Sequence, residues 1–575
     1  MQLINVLSVL FKQHQITGYI IPSNDEYFNE YTPDSSKRLQ YITNFSGSNG
    51  IAIICPTTSL FFTDGRYLEQ SKRQLDGDIF QIFNIHELSD FPWEQYFGRD
   101  YRLGYDPKLF TIAKLNLFSK IKRHLAKISD NLVDQVWLDR ESFASKVYLQ
   151  EIEFAGQSYS DKISMCREIL LKYTADSMLI TSPDSICWLL NLRANDVPYT
   201  PLMLGKVIIT TDKLYLFTNL EKIPKSVFNA RADVTIVSEE EFTKVLNETS
   251  KILIDESFVS IHIMDLLKDK EIVKINDPCQ LAKARKNNIE INHAINFHIQ
   301  DAVALCEFFT HIFTIKDLSN FSEYELGEML TEYRTKRDNY VMDSFHTICG
   351  FHENSAVIHY RAEKANSKRI IGNGLLLIDS GGQYKGSTTD VTRTFAIGNP
   401  TEEQKLRYTQ VLKGHIALAT IKFPRNVTGG NLDVLARQFL WRDHQDYPHG
   451  TGHGVGSFLS VHEGPQNISL RSNVPLEPGM ILSNEPGFYK PGEFGIRIEN
   501  LIYVRKSTEA HYLEFDNLTL VPYSKDLIDL KMLNNEEITY LKQYYQAISE
   551  LVCPLLSSKA KDWVEQELGL VKDLG

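Results

Sequence analysis

Two distant segments repeat one pattern, and that pattern restricts the fold more than any bulk property. In LLLIDSGGQYKGSTTDVTRTFAIG (375–398) an apolar run ends in Asp379, glycines permit a turn, and a β-branched segment follows that carries Asp390. In MILSNEPGFYKPGEFGIRIEN (480–500) an apolar run ends in Glu485, and Pro-Gly and Phe-Gly mark a turn. A strand then returns as Gly-Ile-Arg-Ile-Glu, with Ile496 and Ile498 on one face and Arg497 and Glu499 on the other. Each segment predicts an antiparallel hairpin with an acid at the end of its first strand and another on the next. Taken singly, Asp379 and Asp390 read as a strand end and a solvated turn, and Arg497 with Glu499 as a surface pair. Two such hairpins side by side would bring four carboxylates together.

Four carboxylates in one pocket raise one another's pKa, so they share protons or a cation neutralises them. Oxygen-rich donors with one or two imidazoles suit Mn²⁺, and less often Co²⁺, Fe²⁺ or Zn²⁺. The imidazoles are at hand in PHGTGHGVGSFLSVHEG (448–464), which spaces His449, His453 and His462 with glycines. That stretch reads as one metal ligand and two groups that touch the substrate or the other ligands.

A chain of 575 residues is too long for one core. Its formal net charge of −12 argues against a general nucleic-acid binder. The 7 cysteines are scattered and form no Cys-x-x-Cys, which suits a reducing compartment and disfavours a zinc–thiolate site. No apolar run is long enough to cross a membrane. The opening MQLINVLSVLF has no basic flank, and Leu3, Ile4, Leu7, Leu10 and Phe11 share a helical face. An amphipathic helix packed on a domain is expected there rather than a leader, and the protein is expected in the cytoplasm.

Short apolar runs, GYIIP (18–22), GIAIICP (50–56) and SLFFTDGR (59–66), alternate with helical patterns and predict an α/β domain. A similar order restarts after residue 150. Ser23/Asp25 and Ser182/Asp184 follow the first strand of each half, and Asn44-Phe45 and Asn191-Leu192 come next. GYDPKLF (104–110) and IDESFVS (254–260) then hold comparable places, as in a duplicated domain. The expected boundaries are 1–136, 137–280 and 281–575, with a C-terminal extension over about 515–575. In the third part, Ile291, Ile295, His298, Ala302, Leu305 and Phe309 predict a long helix, with His298 a core or helix-surface histidine rather than a metal ligand. Near the end, Ile538, Leu541, Tyr545, Ile548 and Val552 predict an amphipathic helix that covers the third domain or a partner subunit.

DSGGQYKGSTTDVTRT, HGTGHGVGSFLSVHEGP, EPGFY and GIRIEN resemble the metal-binding segments of aminopeptidase P (Xaa-Pro aminopeptidase), in the long three-domain cytosolic form of the pita-bread metallopeptidases. SNDEYFNEY, FTDGRYLEQ, WLLNLRAND and DAVALCEFF extend the resemblance along the chain. It implies two creatinase-like α/β domains followed by a pita-bread peptidase domain with a helical extension. It also implies two divalent metal ions, typically Mn²⁺, held by Asp379, Asp390, His453, Glu485 and Glu499. Asp390 and Glu499 would bridge the metals, Asp379 would chelate one, and His453 and Glu485 would complete the other. Glu485 would take a proton from the attacking water. His449 and Tyr489 would line the pocket for the proline side. His462 and His359 would bind the scissile peptide and stabilise its oxyanion, and Arg497 would orient a ligand carboxylate.

The implied reaction releases the N-terminal residue from Xaa-Pro-Yaa by attack of a hydroxide that bridges the two metals, near neutral to mildly alkaline pH. The Xaa-Pro bond lacks an amide hydrogen, so a peptidase that depends on that donor handles it poorly. The implied partners are peptides with an N-terminal Xaa-Pro, without nucleic acid or membrane, and a second copy in a homodimer. A prolidase-like dipeptidase would use the same five ligands, and a non-catalytic peptide-binding module of this fold would lack some of them. The two-domain N-terminal half and the HGTGHGVGSFLSVHEGP context favour the aminopeptidase over the dipeptidase. The module would have lost ligands that are all present here, and methionine aminopeptidases lack the long N-terminal part.

Overall fold

The computed structural model describes residues 2–140, 145–315 and 317–571. Contacts divide them into two units: Met1–Leu149 with Ser158–Cys279, and Gln150–Gln157 with Gln280–Gly575.

The first unit is built twice from the same plan. β1 (Gly18–Pro22), β2 (Ile51–Ile54), β3 (Ser59–Thr63), β4 (Phe80–Asn84), β5 (Leu103–Tyr105) and β6 (Leu125–Lys127) form a sheet ordered β4-β3-β2-β1-β5-β6. β7 (Ser177–Ile180), β8 (Lys206–Thr210), β9 (Leu214–Phe217), β10 (Thr235–Val237), β11 (Lys251–Ile254) and β12 (Glu271–Lys274) form a second, ordered β10-β9-β8-β7-β11-β12. Corresponding pairs share their sense: β1–β2 and β7–β8 are antiparallel, whereas β1–β5 and β7–β11 are parallel. The central strands are apolar and buried throughout, as strands covered on both faces must be. α1 (Gln2–Gln13) supplies cover for the first sheet through Ile4, Leu7 and Phe11.

The repeated asparagines have a conformational cause. Asn44 ends α2 (Arg38–Thr43) at φ 61°, and Asn191 ends α3 (Pro183–Leu190) at φ 48°. Both positions are left-handed, where asparagine is tolerated better than most residues. GYDPKLF and IDESFVS lead to the points where the two copies meet. Thr111 bridges Ser260, and the Ile261 N–H donates to the Phe110 carbonyl at 2.8 Å.

The long helix of the second unit is α4 (Asn288–Thr314), whose start is fixed by a capping box between Asn287 and Glu290. Ala302, Leu305 and Phe309 are buried along it, and His298 is too, its Nδ1 2.6 Å from the Ala294 carbonyl. α5 (Glu323–Arg334) packs on α4. One antiparallel sheet joins β13 (Ile348–Phe351), β14 (Gly374–Ser380) and β15 (Val391–Ile397). Behind lie α6 (Glu402–Thr420) and α7 (Gly429–Trp441), packed on each other. β16 is the short strand Gly452–His453. β17 (Ile481–Asn484) pairs with β20 (Asn500–Lys506), which pairs with β21 (Tyr512–Asn517). Between them, β18 (Gly487–Lys490) pairs with β19 (Phe494–Arg497).

The first expected hairpin is β14–β15. The second is broken where the sequence predicts a continuous Gly-Ile-Arg-Ile-Glu strand. The chain changes partners there, from β18 to β17, and leaves the ladder at Ile498 and Glu499. Their N–H groups donate instead to the carbonyls of Pro486 (3.3 Å) and Thr392 (3.2 Å).

The C-terminal helices α8 (Asn535–Leu551) and α9 (Ser558–Leu568) belong to this unit's own core. Leu541, Tyr545, Ile548 and Val552 are buried as their spacing predicts, and Trp563 stacks on Phe313 of α4, with ring centroids 5.9 Å apart. Among the described residues no helix is long and apolar enough to cross a membrane. All seven cysteines are buried, free thiols.

Candidate metal centre

Strand ends deliver the acids to one place. Asp379 is near the end of β14, Asp390 just precedes β15, Glu485 just follows β17, and Glu499 just precedes β20. The registers Asp379↔Thr392 and Asn484↔Asn500 bring each pair of ends together. Asp390, His453 and Glu499 offer ligand atoms that all lie within 4.8 Å of one another. His453 Nε2 is 3.4 Å from Asp390 Oδ2 and 3.6 Å from Glu485 Oε1. His453 Nδ1 lies 2.9 Å from the Gly454 carbonyl. A carbonyl only accepts, so Nδ1 carries a proton and Nε2 is the nitrogen offered to the carboxylates.

Arg497 ties the two hairpins together. It donates through Nη2 to Asp379 Oδ2 (2.6 Å), through Nε to Thr392 Oγ1 (3.1 Å) and through Nη1 to the Tyr489 hydroxyl (2.8 Å). The Thr392 hydroxyl donates onward to Glu499 Oε2 at 2.7 Å. The Tyr489 oxygen is 2.9 Å from His449 Nε2. Arg497 and Glu499 are 2% and 1% exposed, so the surface-pair reading of these two is wrong. Burial of the strand junction on both faces leaves no room for it.

The remaining histidines sit at different places. The His462 ring stands edge-on to His453, centroids 4.3 Å apart. His359 is half-buried in the turn that follows His352–Ala356, a segment tied to β19 where the Gly495 N–H donates to Ser355 Oγ at 2.7 Å. The neighbouring Tyr360 hydroxyl donates to buried Glu323 at 2.7 Å.

Burial pushes the Asp379 carboxyl up to about 7, with Asp390 adding and Arg497 opposing. Glu485 is raised by burial and by Asp390, against His453 and Arg497. Glu499 is raised well above the carboxylate range by burial and by the charges of Asp390, Asp379 and Glu485. Burial lowers His453, but Asp390 and Glu485 outweigh it and push the imidazole up to about 9. The metal-free cluster therefore retains protons that a divalent cation would displace. One observation tests the fit directly: Asp379 Oδ1 is buried with no hydrogen-bond partner. Oxygen donors around one imidazole, with one carboxylate oxygen left over, fit a divalent metal site.

Several supporting residues escape a reading of the sequence. Thr392 serves both Arg497 and Glu499. Ser483 accepts from the His453 N–H (2.9 Å) and donates to Glu485 Oε1 (3.1 Å). Each hydroxyl lies two residues from an acid on an extended chain, and that spacing was the available signal. Arg437 holds the His449 carbonyl at 2.6 Å and pairs with Asp433, which accepts from Thr451 Oγ1 at 2.6 Å. Nothing local in the sequence marks that link between α7 and the histidine loop.

Residues 297–506 match the family model of metallopeptidase family M24. Residues 4–136 and 139–290 each match a creatinase/prolidase N-terminal domain, and 511–569 match the C-terminal region of peptidase M24. Over 98% of its length the chain is 36% identical to Xaa-Pro aminopeptidase 1 of Dictyostelium discoideum, and it covers 95% of that relative. The chain belongs to metallopeptidase family M24. Its architecture is accordingly two creatinase-like α/β domains followed by the pita-bread domain of the M24 peptidases. Among solved structures this M24 chain is similar to the X-prolyl aminopeptidase of Caenorhabditis elegans, described as a cytosolic enzyme with a di-nuclear active site. The TM-score is 0.92 at 31% identity, over 99% of this chain and 98% of that one. The Xaa-Pro dipeptidase of Bacillus anthracis matches at a TM-score of 0.52 and 25% identity, over 64% of this chain and 99% of its own.

Proposed function

We propose that this M24 peptidase is an Xaa-Pro aminopeptidase that releases the first residue of peptides with proline second. The carboxylates and His453 cannot discriminate it from a dipeptidase. Chain coverage carries the choice: the similarity to the C. elegans aminopeptidase spans 99% of the chain, and that to the B. anthracis dipeptidase 64%. The activity in the names of the D. discoideum and C. elegans proteins supports the same reading.

Asp379, Asp390, His453, Glu485 and Glu499 would hold two divalent ions, most readily Mn²⁺. Metal ions bound there supply Lewis acidity and an activated water at near-neutral pH. The protein's own residues do the rest. Glu485, whose carboxyl is raised by burial, would be the group that takes a proton. His462 and His359 bind the scissile peptide and stabilise its developing oxyanion. His449 and Tyr489 line the surface for the proline ring, and Arg497 holds Asp379 in orientation. The division 1–136, 137–280 and 281–575, with the extension from about 515, is the domain scheme that accompanies this reading. A cytoplasmic homodimer is the proposed working form, the location supported by the cytosolic C. elegans relative.

The test is mass spectrometry of three peptides with Mn²⁺-loaded and chelator-treated protein: Xaa-Pro-Yaa, the dipeptide Xaa-Pro, and Xaa-Ala-Yaa. Metal-dependent release of Xaa from the first alone is expected. Cleavage of the dipeptide alone would make the protein a prolidase, and cleavage of none with metal bound would make it a binding module.

A further inference from the structure

The strands that carry the carboxylates are gripped from behind by the C-terminal region. Arg393, on β15 beyond Asp390, has no exposed surface. Its Nη1 donates to the Glu499 carbonyl at 2.6 Å. Nε donates to the Pro522 carbonyl (3.1 Å), and Nη2 reaches the Val521 carbonyl (2.7 Å), Asn500 Oδ1 (2.8 Å) and the Tyr544 hydroxyl of α8 (3.0 Å). A buried guanidinium needs this many acceptors, and the C-terminal region supplies three of them.

A second line reaches the other hairpin. The Tyr523 hydroxyl accepts from Asn500 Nδ2 (3.1 Å) and lies 3.1 Å from His415 Nε2. His415 Nδ1 is 3.1 Å from the carbonyl of Asn484, the residue before Glu485. Burial, and then Arg393, lowers His415 to about 3, so its ring is neutral. Nδ1–H therefore donates to Asn484, and Nε2 accepts the Tyr523 proton. Tyr523 stacks on Tyr544, centroids 4.9 Å apart, which joins the two lines.

We propose that the C-terminal region positions the metal ligands, with Tyr544 and Tyr523 acting through Arg393 and His415 to fix the backbone at Glu499 and beside Glu485. A tail that only shielded the core would present apolar side chains here. This one presents hydroxyls and carbonyls to the groups that hold the ligand-bearing backbone. Small displacements of such supports weaken a metal site measurably. The inference rests on the metal-site reading above but not on the peptide specificity.

The experiment titrates Mn²⁺ alone into the chelator-stripped full-length chain by calorimetry and records Tm beside it. Tyr544→Phe keeps the ring and its stacking and removes only the hydroxyl. Its Mn²⁺ Kd should rise roughly 10-fold, and kcat should fall with KM unchanged. Tyr523→Phe, on the second line, should shift the Kd the same way. Ile548→Val, on the same helix but off the network, should lower Tm and leave the Kd at the wild-type value. Wild-type affinity in both tyrosine variants would overturn the proposal, as would an equal loss of affinity in Ile548→Val. Because the titration needs no substrate, it reads the clamp even if no Xaa-Pro peptide is cleaved.

Discussion

At the scale of single residues, Arg497 is the most connected side chain of the centre. A lysine in its place has one ammonium and no planar fork, so it cannot serve Asp379, Thr392 and Tyr489 together. Arg497→Lys is expected to weaken metal binding by about 10- to 100-fold, read by Mn²⁺ titration. Wild-type affinity would show that Asp379 needs no such support. Removing a proposed ligand outright is harsher. Asp390→Ala or His453→Ala should lower kcat/KM by about 10³-fold or more and leave the circular dichroism spectrum unchanged. Normal turnover by either variant would remove that residue from the ligand set.

At the scale of elements, the loop that carries His462 depends on a buried ion cluster. Glu463 accepts from Lys286 at 2.9 Å and lies 3.1 Å from Lys283 Nζ, and all three side chains are at most 1% exposed. The lysines come from the segment just before α4, so the cluster ties that segment to the histidine loop. Neutralising one partner of a buried pair leaves the other charge without compensation. Glu463→Gln is therefore expected to destabilise the second unit by about 3–5 kcal/mol, read as a lower denaturant midpoint. A change below 1 kcal/mol would mean that the lysines find other compensation.

At the scale of the whole molecule, the carboxylate cluster couples stability to pH and metal. Asp379 rises from its ordinary 3.8 to about 7 on folding, and Glu485 and Glu499 move in the same direction. Between those values the folded, metal-free chain keeps protons that the unfolded chain has released. Its stability from these groups is therefore full at low pH and is lost as pH rises towards 7. His415, lowered from 6.5 to about 3, pulls the opposite way in acid. The rise in Tm caused by Mn²⁺ is the cleaner quantity, because groups remote from the metal cancel in it. That rise should grow between about pH 5.5 and 7.5, as fewer protons must be displaced. A rise independent of pH would contradict a protonated cluster.

The sequence by itself placed acids at the ends of predicted strands, and the family resemblance, not the spacing, chose His453 among the three histidines. An apolar run that ends in an acid at a glycine turn is a local pattern, and a local pattern survives without knowledge of the fold. The duplicated sheets were legible for the same reason, through Asn44 and Asn191, whose left-handed caps are set by their own backbone. The faces of α4 and α8 followed from side-chain period alone. Tertiary structure decided what depends on pairing between distant strands: the break at Ile498 and Glu499, the hydroxyls of Thr392 and Ser483, and the grip of Tyr544 on Arg393. These residues look ordinary along the chain. Their roles exist only because burial removes water and leaves each polar group to find its partner across the sheet.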